Sequence, residues 1–131
     1  AENITCRAFP CDLSSPANME ALFGQIRESL GPITVIHWNA CMNGVGGDIL
    51  TSKPEQIQAV LNVGCVSMIA AVQAVISDMK AQSGTAAVLI TGGGLGFHDS
   101  GADQFAIAID QMALALVNSG KHKLGDQFAS P

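Results

Sequence analysis

Two β-branched runs, ITVIHWNA (residues 33–40) and TAAVLIT (residues 85–91), constrain this chain more than any other feature, because each is followed by a segment of helical apolar spacing. An earlier apolar stretch, ITCRAFPCD, reads as a short strand ending at Pro10, since proline cannot continue a central ladder. The resulting order is strand, helix, strand, helix, strand, helix. Such alternation predicts a Rossmann-like three-layer α/β fold with a parallel sheet, incomplete at about three strands and three helices joined by right-handed crossovers. ITVIHWNA lacks clean alternation, which suits a strand buried on both faces and makes His37 a satisfied, buried histidine.

The helices are marked by their ends and stripes. Ser15 as N-cap and Pro16 at the first helical position open a helix with Met19, Leu22, Phe23 and Ile26 on one face, and Gly31 with Pro32 stops it. Pro54 opens the longest helix, with Ile57, Val60, Leu61, Met68, Val72, Val75, Ile76 and Met79 at helical spacing. The last helix carries Phe105, Ala108, Ile109, Met112 and Leu116 as a packing stripe, with Gly120 as its stop and residues 121–131 as a loose tail. No repeat or linker divides the chain, so residues 1–131 form a single domain.

Charge and cysteine usage exclude several classes of function. The net charge is −5 and the six fixed cations are scattered, so no surface is built to displace counterions from phosphates, and nucleic acid is not an expected partner. The N-terminus lacks a signal-peptide layout, and VSMIAAVQAVI is broken by Gln73 and too short to span a bilayer; a cytoplasmic protein without membrane attachment is expected. Cys6, Cys11, Cys41 and Cys65 stand singly without CxxC spacing and read as structural thiols, mostly buried. His37, His98 and His122 are too dispersed for a metal motif, and consecutive His98, Asp99 and Ser100 do not make a facing triad.

The glycines of TGGGLGFH approach the TGxxxGxG loop that cradles a pyrophosphate: Thr91, Gly92 and Gly96 fit, but His98 stands where the last glycine should be. Their place in the chain is explained by a wider resemblance. DLSSPANMEALFGQIRESLGPITVIHWNA, then VLNVGCVSMIAAVQAVISDM, with Ala74, Val75 and Met79 in register, and then TAAVLITGGG resemble the middle of the short-chain dehydrogenase/reductase family from about Ile4 to Leu116. In that register the glycines follow the family's fifth strand, whereas its cofactor loop follows the first. The first two strands and that loop have no counterpart in this sequence.

The resemblance implies an NAD(P)-dependent oxidoreductase fold, and it also implies what is lost. The family's relay asparagine falls on Gly64, its serine near Gly92 with Thr91 adjacent, its tyrosine on Ala108 and its lysine on Met112; the chain contains no tyrosine. Asn62 lies two residues from Gly64. No catalytic residue is therefore assigned. Cofactor-binding positions survive at Asp12, which matches the adenine-contacting aspartate and also suits a turn or cap, and at Asn39 and Ala40 at the strand end. Without a phosphate cradle no cofactor is expected to bind tightly, NAD(P) included.

The family's sheet would place two strands between the Thr5 run and ITVIHWNA, so an edge is left to be covered, and a homo-oligomer or a full-length relative is the expected partner. The two long helices, residues 56–82 and 103–118, are the surfaces the family often uses for dimers. The expected function is an oxidoreductase-like fragment without dehydrogenase activity; a non-catalytic interaction module and a gene remnant are the alternatives.

Overall fold

Strands β1 (Val35–Trp38) and β2 (Ala87–Ile90) pair in parallel, with Val35 opposite Ala87 and Trp38 opposite Ile90. The computed structural model describes residues 4–45, 47–48, 50–97, 100–108 and 111–129, the side chains of residues 100 and 108 excepted. His98, Asp99 and Ile109 of the sequence reading lie outside these residues. Five α-helices accompany the strand pair: α1 (Asn18–Leu30), α2 (Pro54–Leu61), α3 (Ser67–Ala81), α4 (Ser100–Ala108) and α5 (Met112–Phe128).

The core explains why the elements stack as they do. Met19 and Phe23 of α1, Ile36 and Trp38 of β1, and Met68, Ala71, Val75 and Met79 of α3 form one buried cluster, against which Val88, Ile90 and Leu124 pack. All these residues meet one face of the sheet. β1 accordingly alternates, with Val35 and His37 outward and Ile36 and Trp38 inward. The expected two-sided burial of this strand is thereby corrected: Val35 is 49% exposed and Leu89 51%. His37 is exposed rather than buried, and its Nε2 sits 2.9 Å from Thr91 Oγ1.

The first expected strand does not form. Residues 4–11 have no ladder partner among the described residues, Ile4 is exposed, and Arg7 reaches across to the Ser29 hydroxyl beside α1. The physical reason is topological: the sheet of the described residues consists of β1 and β2, and neither runs beside this segment to complete a ladder with it. Helix α1 also begins later than its Ser15-Pro16 signal, because those residues make a turn whose carbonyls accept from Asn18 and Met19 N–H. It ends as expected at Gly31, whose φ of +89° only glycine adopts without strain.

The longest helix is continuous over Pro54–Ala81 but carries a π-helical turn at Asn62–Val66. A π-turn frees a carbonyl from the regular ladder, and here the Trp38 indole N–H donates to Val63 O at 3.2 Å. Asn62 Nδ2 and Ser67 Oγ donate to the carbonyls of Ser14 and Leu13, which anchors the segment before α1. This helix is 28 residues long and contains an 18-residue stretch of mean hydropathy 2.1, so by length and composition alone it could cross a bilayer. A core helix meets the same criterion, and Met68, Ala71 and Val75 are wholly enclosed by the fold.

The last helix departs most from expectation. It is two helices, α4 and α5, and α5 runs through Gly120 to Phe128, so the tail up to that residue is helical rather than loose. The break moves the buried face: Ala106, Ala113, Ala115 and Val117 are buried, while Phe105 is 57% exposed and Leu116 46%. The four cysteines are free, and none is fully buried.

One half-buried ion pair braces the α1–α3 contact. Arg27 Nε donates to Asp78 Oδ2 at 2.7 Å and its Nη2 donates to Ala74 O, while Ile33 N–H donates to the same carboxylate at 3.1 Å. The Arg27 hydrogen bond, then that of Ile33, holds the Asp78 carboxyl below its ordinary value. A depressed folded value stabilises the fold above the unfolded carboxyl pKa of about 3.9, and that contribution disappears as pH falls through the folded value. Urea unfolding of wild type and Asp78→Asn should therefore show a clear stability gap at pH 6 that narrows as the pH is lowered toward about 2.5, below the ordinary carboxyl range. A gap of equal size at both would show that the carboxylate charge is not what stabilises the contact.

Candidate functional site

The carboxyl ends of parallel strands leave a crevice where open α/β sheets generally bind ligands. In this chain the crevice lies beyond Trp38 and Ile90. It is a cleft of about 340 Å³ whose walls include Asn39, Cys41, Thr91, Gly93, Asn118 and Lys121.

Its best-defined group is Lys121. The side chain is buried, with the residue only 2% exposed, and Nζ donates to Ala40 O at 2.8 Å and to Thr91 O at 3.1 Å. One ammonium thus bridges Ala40 and Thr91, just beyond the ends of the two strands. Burial pushes its pKa below the ordinary lysine value, opposed by the nearby Cys41 and Cys65 thiols. Burial likewise raises Cys65, against the pull of Lys121.

The glycines bring α5 close enough for this bridge. A Cβ on Gly96 would lie 2.6 Å from the Asn118 carbonyl carbon and 2.7 Å from Ser119 N, so only glycine allows the loop to touch the helix backbone. Ser119 Oγ then donates to Gly96 O at 3.1 Å. Gly92 and Gly93 face His122 and Asn118 in the same way, with a Cβ at 2.9 and 2.8 Å from side-chain nitrogens. The space that a phosphate cradle would leave open is occupied by α5. Phe97 stacks on His122 at a ring separation of 5.1 Å and caps this contact.

The sequence-derived cofactor positions separate in space. Asn39 lines the cleft, exposed, and half-buried Ala40 contributes its carbonyl to Lys121. Asp12 lines a different depression with Pro10, Cys11 and Asn18. Its carboxylate accepts Ser14 N–H at 2.9 Å and Ser14 Oγ–H at 2.8 Å, bonds that hold its pKa below the ordinary value. This is the turn role, with both bonds taken up by Oδ1.

The candidate catalytic positions are equally clear. A Cβ on Gly64 would overlap the Val117 side chain, so the family's asparagine could not occupy this position without displacing α5. Asn62 does not replace it, because its amide is turned to Ser14 O and Gln58. Thr91 lines the cleft, its hydroxyl beside the His37 ring.

Lys121 and Asn118 were missed by the sequence reading, which ended the helix at Gly120. The signal was present: Val117, Lys121, Leu124 and Phe128 continue at four, three and four residues, the spacing of one helical face. A glycine inside a helix costs about 1 kcal/mol, which tertiary packing readily outweighs. Here Gly120 accommodates the Cys65 sulfur, 2.9 Å from where its Cβ would stand.

The close approach at Gly64 generates a direct test. Gly64→Asn should lower stability by about 1–3 kcal/mol through overpacking, read by urea denaturation. Gly84→Asn, at a position with nothing within 4 Å, should be nearly neutral. Equal losses would mean that Val117 does not press on Gly64.

The family model described as short chain dehydrogenase matches residues 1–102. Comparison with curated proteins finds no match. The matched segment includes α1, both strands and the glycine run, and ends before Ala108, Met112 and Lys121.

Proposed function

The chain belongs to the short-chain dehydrogenase family, and from that premise we propose that it is an oxidoreductase-like α/β segment that keeps the strand-end cleft without the proton-transfer set of carbonyl reduction. Hydride transfer to a carbonyl needs a proton delivered to the oxygen, and the family assigns that task to a tyrosine supported by a lysine. The observation that carries the reading is that the sequence contains no tyrosine. Gly64, closed off by Val117, removes the relay asparagine as well.

Nor do the described residues fit the family's dinucleotide. The glycine run packs against α5, and Asp12 is engaged with Ser14. Of the sequence-derived cofactor positions, Asn39 lines the cleft and is exposed. We therefore derive no step through the cofactor.

A thermal melt with and without millimolar NADH or NADPH tests this. A ligand that binds only the folded state at a hundredfold excess over Kd adds about 2.7 kcal/mol, a shift of several degrees in a domain of this size. The expected result is a cooperative melt without a shift, and no dehydrogenase activity above the blank. A shift of several degrees would restore the dinucleotide to this cleft and overturn the reading.

A second reading, a self-associating cytoplasmic module, is favoured by the apolar side chains left outside. Val35 and Leu89 share the uncovered sheet face, while Phe105, Ile107 and Leu116 project from α4 and α5. Light scattering after size exclusion should give an oligomer, and Leu89→Lys or Leu116→Lys should reduce it to monomer. A wild-type monomer at high concentration would dismiss this role.

A further inference from the structure

A buried cation calls for a compensating anion. Lys121 is the buried charged residue of the described core, and its contacts there are two neutral carbonyls. The salt bridges of the described residues, Arg27 with Asp78 and Lys123 with Asp126, lie elsewhere. Burying an ammonium without a counter-charge is costly, because neutral dipoles replace only part of the hydration it loses. An ammonium also has three N–H groups, and the two carbonyls take two of them.

The third N–H belongs to a side chain that lines the cleft beyond the strand ends. Around it stand the buried Asn118, the exposed Asn39 and the backbone of Gly92 and Gly93, with Leu95 and Leu114 supplying apolar wall. The backbone N–H groups of Gly92 and Gly93 donate to no carbonyl among the described residues, whereas Thr91 N–H still belongs to the strand ladder and donates to Trp38 O. A single positive charge, amide donors and an apolar wall match a monoanion with a short carbon chain better than a multiply charged phosphate.

We infer that the strand-end cleft binds a small organic carboxylate, one oxygen accepting the third N–H of Lys121 and the hydrocarbon part resting on Leu95 and Leu114. Carboxylate binding here requires no dinucleotide. Lys121 and Asn118 also lie beyond the residues matched by the family model. Apart from the Cys41 and Cys65 thiols, no acidic side chain among the described residues stands beside the lysine, and the carboxylate supplies that charge, raising the lysine's proton affinity back toward its ordinary value.

The probe is sodium butyrate, compared in thermal melts with sodium chloride and sodium phosphate at equal ionic strength. Butyrate should raise the wild-type midpoint by several degrees beyond chloride, with phosphate close to chloride. Lys121→Met should abolish the difference. Should that variant fail to fold, Leu114→Trp, which keeps the lysine and fills the cleft, should abolish it instead. In the wild type, butyrate should also shift the amide resonances of Asn39, Gly92, Gly93 and Asn118 in a saturable manner. Equal effects of butyrate and chloride, a phosphate effect as large as that of butyrate, or resonance changes scattered over the surface would each overturn the assignment.

Discussion

One ammonium group holds together the end of the sheet on which the rest of the structure depends. A two-stranded parallel pair is too small to be stable on its own, and here four residues pair on each side. Lys121 extends the pairing past the last ladder residues by binding Ala40 O and Thr91 O together. Its reach requires α5 to lie almost on the loop after β2, and that contact requires glycine at residue 96. The glycine run and the lysine act as one device: the loop lacks side chains so that the helix can deliver a charge to the strand ends.

This arrangement also accounts for glycines that look like a nucleotide loop. A phosphate cradle uses glycine so that a ligand can approach the backbone. Here a helix makes the same approach, from Asn118, Ser119 and His122. The composition is shared because the steric requirement is shared, and the sequence distinguishes the two cases only through position in the chain. Coming after the strand that follows the long helix, the run stands apart from the first-strand position of the family's cofactor loop.

What was legible in the sequence was whatever depends on local pattern. The β-branched runs gave both strands, the stripe Met19, Leu22, Phe23 and Ile26 gave α1 and its inward face, and Met68, Val75 and Met79 gave the core side of α3. Elements decided by long-range contact were not legible. The π-turn at Asn62–Val66 is stabilised by an indole from a different strand, 25 residues away in sequence. The division between α4 and α5, and the continuation through Gly120, follow from how the helix must pass Cys65 and the glycine loop. In the cleft, Asn39 and Ala40 could be read from a motif, whereas Lys121 belongs to no motif and is placed by an 81-residue contact.

The uncovered sheet face follows from topology rather than from any shortage of apolar residues. A parallel crossover is right-handed, so successive units that advance in one direction along a sheet place their helices on the same side. β1, the α2–α3 helix, β2 and α5 form such a progression, and α1 packs on the same face through Met19 and Phe23. Every helix that touches the main core is thus committed to one layer. Val35, His37 and Leu89 remain outward because no connection among the described residues advances in the opposite sense. Parallel sheets ordinarily have both faces covered. The second face can be closed only by elements entering from beyond an edge strand, whether from further chain or another molecule, and the apolar character of Val35 and Leu89 is the trace of that requirement.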